Sequence, residues 1–466
     1  MAIETLETAC CIVGGGPAGM MLGYLLARAG VAIVVLEKHA DFFRDFRGDT
    51  VHPSTLEVMN ELGLLDDFLK VPHQRLASTG GVFGNFAFQA ANFTRLPTRC
   101  KFVVLMPQWD FLSFLSGHAT RFQSFDLRME HEAVGLVREK DRIVGVEVRT
   151  PTATIVVRAQ LVVACDGRHS TIRKAAQLAI QEFGVPIDVL WFRMSRISDD
   201  PEQLLGNVNY GRALVLIPRG DCFQAGLLIR KNSFEQVKAG GLERLRDTIL
   251  RIAPYLGDRV NELQDWERIK LLSVRINRLQ QWYRPGLLCL GDAAHAMSPV
   301  GGVGINLAIQ DAVAAANLLA RPLRGNAVAE SVLARVQKRR EFPARATQFA
   351  QMTAHNLLNR VFQNNGPIQA PWQLKAALCI PGLQHAIGRA VGLGIRPEHV
   401  AGANSARDFR RFLLGGMAFC AGALAWATAV SWLRIRRPAE SPGPTRTVRS
   451  ARLHQRQETV NRWAHN

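Results

Sequence analysis

Gly14-Gly15-Gly16-Pro17-Ala18-Gly19 supplies G-x-G-x-x-G, a spacing whose chemistry is the binding of a pyrophosphate. Gly14 permits a tight strand-to-helix turn, Gly16 lets backbone approach the phosphates, and Gly19 lets helix and strand pack closely. The helix that follows aims unpaired N–H groups and its positive dipole end at the anion. Glu37, at the end of the next apolar run, is placed to hydrogen-bond adenosine ribose hydroxyls. Two further signatures lie far along the chain. Cys165-Asp166-Gly167-Arg168-His169-Ser170 closes an apolar run, and Leu290-Gly291-Asp292-Ala293-Ala294-His295 precedes Pro299-Val300-Gly301-Gly302-Val303-Gly304-Ile305-Asn306.

The third signature offers a carboxylate followed by a glycine-lined helix start. Asp292 suits the ribityl hydroxyls of a flavin, and Gly301, Gly302 and Gly304 admit backbone N–H groups to an isoalloxazine ring. A helix starting near Asn306 would put its positive end at that ring. The three signatures in this order describe an FAD site assembled from distant segments. His295 reads as a structural hydrogen-bonding residue and is given no catalytic role.

This motif set resembles that of the single-component flavoprotein monooxygenases of the para-hydroxybenzoate hydroxylase and ubiquinone-pathway hydroxylase type, over roughly residues 8–400. The resemblance implies that Asp166, Gly167, Ser170 and Arg173 touch FAD and the incoming nicotinamide. It further implies that Arg47 and Gln108 help hold the flavin and that Pro299 sits beside flavin and substrate. The implied chemistry is reduction of FAD by NAD(P)H, O2 addition at flavin C4a, and transfer of one oxygen atom to an aromatic or quinone-like small molecule. Epoxidation of an isoprenoid alkene and a geranylgeranyl-type reduction share the fold and stay open; the W-x-W-x-I-P signature of flavin halogenases is absent. No metal-ligand cluster or nucleophile elbow is visible, and none is required where a flavin carries the oxidation. No residue is assigned as catalytic.

The elements that must position these residues follow from periodicity and punctuation. Ala9–Val13 reads as a buried strand, 18–29 as a helix ended by Gly30, and Val31–Leu36 as a second strand. A helix is expected over 55–68 and another over 108–119; 143–148 and 155–157 read as a hairpin leading into a strand at 161–164. Between 181 and 275 alternating strand patterns at 185–193, 213–218 and 222–229 predict an inserted sheet. Trp191, Phe192, Arg193, Tyr210, Arg212 and Phe223 are its candidates for substrate contact, the arginines as carboxylate or phenolate partners or as surface residues. An apolar helix is expected over 306–320, with mostly helix over 328–406.

The fold class is α/β: a Rossmann-like FAD-binding domain with an inserted β-sheet substrate domain, a helical C-terminal region and an apolar C-terminal segment. The expected divisions are 1–74, 101–180 and 270–365 for FAD, 75–100 and 181–269 for substrate, and 366–411 for the helical region. An apolar run at 412–433 and a basic, disordered tail at 434–466 complete the chain.

With 48% hydrophobic and 21% charged residues the chain can bury a large core. The net charge of +18 suits anionic dinucleotides or an acidic membrane face, and residues 434–466 supply +6 of it. No basic patch interleaved with aromatics points to nucleic acid. Eight scattered cysteines without a C-x-x-C pair, and no signal peptide, read as a reducing, cytoplasmic setting. The run 412–433 is 22 residues without a charge between Arg410-Arg411 and Arg434. It reads as a spanning helix, a helix lying on anionic lipid, or a helix docked on the protein, so membrane association is a further expectation.

Overall fold

The computed structural model describes residues 4–401 apart from 44–49, 201–204, 327 and 365. Its centre is a sheet in which Leu287–Cys289, Thr154–Ala164, Thr5–Val13, Ile33–Leu36 and Phe125–Arg128 lie side by side, all parallel. Each middle strand is apolar on both faces, as a parallel sheet covered on both sides demands. Cys10, Cys11, Ile12, Val34, Val35 and Val162 are almost wholly buried. The Pro17–Arg28 helix covers one face, and the alanine-rich Gly304–Arg324 helix packs against it.

Thr154–Ala164 is one eleven-residue strand rather than a hairpin arm and a separate strand. Its first half pairs with Arg142–Arg149, its last residues pair with Leu287–Cys289, and Thr5–Val13 runs beside both. The helix expected over 55–68 is broken into Pro53–Glu61 and Leu65–Phe68. Gly63, at φ +72°, takes the left-handed conformation that stops the first piece.

A second, seven-stranded sheet runs in the order Lys270–Leu272, Ile187–Ser195, Cys222–Arg230, Arg212–Arg219, Leu205–Asn209, Ser78–Phe83, Phe86–Asn92. The last two strands lie within the 75–100 segment, far along the chain from the 181–275 strands they join. One face packs Leu190, Phe192, Phe223, Ala225 and Leu227 against the Gly241–Ile252 helix. The other buries Ile187, Val189, Trp191, Ala213 and Leu228 with Phe362, and Val300 of the third signature packs against this cluster.

Beyond the 32-residue Glu330–Val361 helix lie Trp372–Leu378 and Leu383–Leu393. Among the described residues no helix is long and apolar enough to cross a membrane. The run 412–433 and the tail 434–466 lie outside the described residues.

Candidate FAD site

Strand register brings the three signatures together. Val13 is the partner of both Leu36 and Ala164, and Ala164 is the partner of Cys289. Because these strands are parallel, the residues just past their C-terminal ends fall on one edge of the sheet, where α/β folds bind ligands. Backbone bonds tie the edge together: Gly14 N–H donates to the Leu36 carbonyl at 2.7 Å, Cys165 N–H to Val13 at 2.7 Å, and Leu290 N–H to Ala164 at 2.9 Å.

Gly14 sits at φ +106°, and a Cβ there would come within 2.5 Å of the Cys165 carbonyl oxygen. A Cβ on Gly19 would overlap the Gly14 carbonyl. Gly16 is different in kind: no protein atom lies within 4 Å of where its Cβ would be. It precedes the Pro17–Arg28 helix, whose start has no side-chain cap, so no side chain takes the first N–H groups of that helix. That is the cradle a pyrophosphate requires. The Glu37 carboxylate, 9% exposed, closes the same turn: Oε2 accepts from Gly15 N–H at 3.0 Å and Oε1 from His39 N–H at 3.2 Å.

Asp292 opens towards this edge. Its carboxylate is 31% exposed and faces Arg168 Nη2 at 3.4 Å. Gly291 behind it backs onto Ala18 and Ala308, which joins the third signature to both flanking helices. The Gly304–Arg324 helix starts two residues earlier than the apolar pattern suggests, again without a side-chain cap, and leaves the space at Gly304 clear. Gln108 opens the Gln108–Ala119 helix and is half-buried, its side chain without a hydrogen bond among the described residues. Arg47 lies outside the described residues. An open glycine cradle, two uncapped helix starts and a carboxylate about one-third exposed on one edge fit FAD.

Several expected ligands act as structural braces through their side chains. Arg173 is buried, and its guanidinium donates to the carbonyls of Ala293 at 3.0 Å and Arg168 at 2.8 Å, locking the middle signature to the third. Ser170 Oγ accepts from Arg173 N–H at 2.9 Å, and Asp166 Oδ2 from Ile172 N–H at 3.2 Å, so both order the Thr171–Ala175 helix start. Burial pushes the Asp166 carboxyl above the usual range, against the bonds it accepts. Asn306 Oδ1 accepts from His52 N–H and Thr55 Oγ, both at 2.8 Å, while Nδ2 donates to the carbonyls of Thr50 and Gly302. Its amide is satisfied by protein, leaving Gly304, Ile305 and Asn306 to contribute backbone.

The substrate candidates are sorted by the pleat. Trp191 lies on the face that meets Val300, whereas Phe192 and Phe223 pack on the far face. Tyr210 sits at a hairpin tip with φ +49°, and Arg212 donates to the Gly211 carbonyl at 2.9 Å. Arg193 is exposed.

A polar stripe on the Glu330–Val361 helix is the part sequence reasoning missed. Arg340, Gln348, Gln351 and His355 are all buried, spaced as one helical face. Gln351 Nε2 donates to the carbonyls of Ser298 and Val300, both at 2.9 Å, and its Oε1 accepts from Ser298 N–H at 3.0 Å. His355 Nε2 lies 2.8 Å from Ser298 Oγ. Arg340 Nε donates to Asp311 at 2.8 Å, and Asp311 also lies 2.6 Å from His295 Nε2. His295 is thus a buried structural residue. The legible signal is the i, i+8, i+11, i+15 recurrence of polar residues in an otherwise amphipathic run.

Two of these histidines give the protein an acid limit. Burial pushes His52 and His355 down to about 4, with a bond to the Val391 carbonyl opposing the shift at His52. The folded state keeps them neutral while the unfolded chain binds protons near their ordinary value of 6.5. Their contribution is therefore full above that value and is lost as pH falls towards 4. Melting temperature should drop between pH 6.5 and 4.5, and His355→Gln should drop less over that interval. Parallel curves for the two proteins would contradict the assignment.

The comparisons agree with this geometry. The family model described as FAD binding domain matches residues 7–350. The 6-methylpretetramide 4-monooxygenase of Streptomyces rimosus is 30% identical over 382 residues, covering 80% of this chain and 89% of that protein. Para-nitrophenol 4-monooxygenase of Pseudomonas sp. (strain WBC-3) is 26% identical, covering 70% and 80% respectively. Among solved structures, PqsL of Pseudomonas aeruginosa, described as a probable FAD-dependent monooxygenase, superposes with a TM-score of 0.66. The identity is 22%, with 77% of this chain and 98% of that chain covered. The chain belongs to the FAD-binding-domain family and is an FAD-dependent monooxygenase.

Proposed function

We propose that this enzyme hydroxylates an aromatic ring of a small molecule, with NAD(P)H as the reductant and O2 as the oxygen source. The observation that supports it best is the meeting of the Val300 loop with the apolar face built by Ile187, Val189, Trp191 and Leu228. An apolar wall beside the FAD edge accepts a planar ring and excludes water from it. The two relatives above are named for aromatic substrates, 6-methylpretetramide and para-nitrophenol.

In this reading Gly14, Gly16, Ala18 and Gly19 present backbone to the pyrophosphate, and Glu37 orders the turn beside the ribose. Gln108 and Asp292 take the ribityl chain, with Asp292 accepting hydrogen bonds from its hydroxyls. The Pro299–Val303 loop, held by Gln351 and Asn306, would face the flavin ring, and the start of the Gly304–Arg324 helix would stabilise negative charge there. Asp166 and Gly167 form the rim at which the nicotinamide approaches, braced by Ser170 and Arg173. FAD, when bound, supplies the acceptance of two electrons and the activation of O2. The chain itself positions, desolvates and holds.

The test is turnover under labelled O2 with an aromatic panel, following NAD(P)H loss and product mass. One labelled oxygen per product ring is expected. Loss of a double bond without label would overturn hydroxylation in favour of reduction, and a labelled epoxide would favour the alkene substrate.

A further inference from the structure

The sheet face that meets the Val300 loop carries two buried polar groups without a partner. Ile187–Ser195 and Cys222–Arg230 are antiparallel neighbours in which Trp191 faces Gly226 and Arg193 faces Gln224. The pleat has a period of two, so Gln224, Gly226 and Trp191 share one face. Trp191 lies over Gly226, where a Cβ would meet indole Cζ3 at 2.8 Å. Residue 226 must be glycine for the indole to lie down on the strand.

Trp191 is 8% exposed and Gln224 2%. Trp191 Nε1 and Gln224 Oε1 are both buried without a hydrogen-bond partner among the described residues. A donor and an acceptor left unpaired on neighbouring strands are costly to keep, and a ligand that pairs both removes the cost. The arginines do not compete for this role. Arg212 is turned onto the Gly211 carbonyl, and Arg193, opposite Gln224 on the same face, is exposed, so water screens its charge.

We propose that Trp191 Nε1–H and the Gln224 amide are the polar pair that recognises the substrate on this sheet face. The substrate is then an uncharged aromatic ring system carrying both an acceptor, such as a carbonyl or nitro oxygen, and a hydroxyl donor. This rests on the aromatic-hydroxylase reading above. The indole N–H would donate to the acceptor, the Gln224 carbonyl would take the hydroxyl proton, and the apolar face would hold the rings. A carboxylate is disfavoured, because neither group carries a compensating charge.

Calorimetric titration of the FAD-loaded protein tests this with four probes: 2-naphthol, 2-acetylnaphthalene, 6-hydroxy-2-acetylnaphthalene and 6-hydroxy-2-naphthoate. The hydroxy-ketone should bind tightest and the anion weakest. Gln224→Leu should erase the advantage of the hydroxyl and Trp191→Phe that of the acetyl group, each about tenfold. FAD content should be unchanged in both, and Gln224→Leu should melt no lower than wild type because it removes an unpaired buried oxygen. Tightest binding of the anion, or unaltered selectivity in both variants, would overturn the pair. So would wild type binding none of the four probes. Failure of the aromatic-hydroxylase reading would show separately, as absent FAD or as unlabelled product under labelled O2.

Discussion

Asp311→Ala is expected to lose about 3–5 kcal/mol of stability, the range seen when one partner of a buried ion pair is removed. Asp311 is fully buried, and its two oxygens serve Arg340, His295 and Gly291 N–H. Burial raises its carboxyl, yet the charges of His295 and Arg340 hold it below the usual range. Its contribution is therefore present above the ordinary carboxylate value and is lost as pH falls through the depressed one. Without the carboxylate, Arg340 is a guanidinium 1% exposed whose remaining partners are Glu398 and the Arg396 carbonyl. Urea unfolding of the wild type, Asp311→Ala and the double variant Asp311→Ala/Arg340→Leu would read this directly. The double variant should recover part of the loss, since the buried guanidinium is gone and Glu398 keeps Arg339 as its partner. A single variant as stable as wild type, or a double variant with simply additive losses, would refute the coupling. Flavin should also weaken, because Gly291, which places Asp292, loses one anchor.

Gly16→Val should yield a folded protein that retains no FAD, while Gly19→Val should fail to fold. The contrast comes from what surrounds each position. A Cβ at 16 has no protein atom within 4 Å, so a side chain there points at the group that occupies the cradle. A side chain at 19 collides with the Gly14 carbonyl, and backbone pinned between two strands cannot retreat. The flavin-to-protein ratio after gel filtration, beside circular dichroism, separates the two outcomes. An affinity loss of at least a hundredfold, roughly 3 kcal/mol, is expected for Gly16→Val. Yellow, fully loaded Gly16→Val would mean that the pyrophosphate lies elsewhere.

Short-range chemistry is legible in the residues themselves. Gly14, Gly16 and Gly19 announce a phosphate turn because backbone approach admits only glycine, and the apolar runs at 9–13 and 31–36 announce buried parallel strands. Asp292 and the glycines from 301 to 304 mark a second helix start for the same local reason. Alternation locates the inserted sheet, although its strands at 78–92 hide among turn residues, and a single eleven-residue strand reads as two pieces.

The partners of each polar side chain come from tertiary packing. Asn306, Ser170 and Arg173 are of the types a ligand site uses, yet their side chains bond to His52, Thr55, Ala293 and neighbouring backbone. A hydrogen bond is made by direction and distance between residues up to 339 positions apart, which spacing along the chain does not encode. The stripe Arg340, Gln348, Gln351 and His355 reads as an ordinary polar helix face until the 277–311 segment is packed on it. Likewise, the pleat separates Trp191 from Phe192, and only the packed fold sets Val300 against the face of Trp191. The cofactor is thus written in the order of the residues, because the glycines and the carboxylate that carry it act through local backbone geometry, while the kind of reaction follows from the family which that motif order resembles. Which polar groups are free to meet a ligand is settled by the packed fold, because freedom is what remains after every long-range partner has been placed.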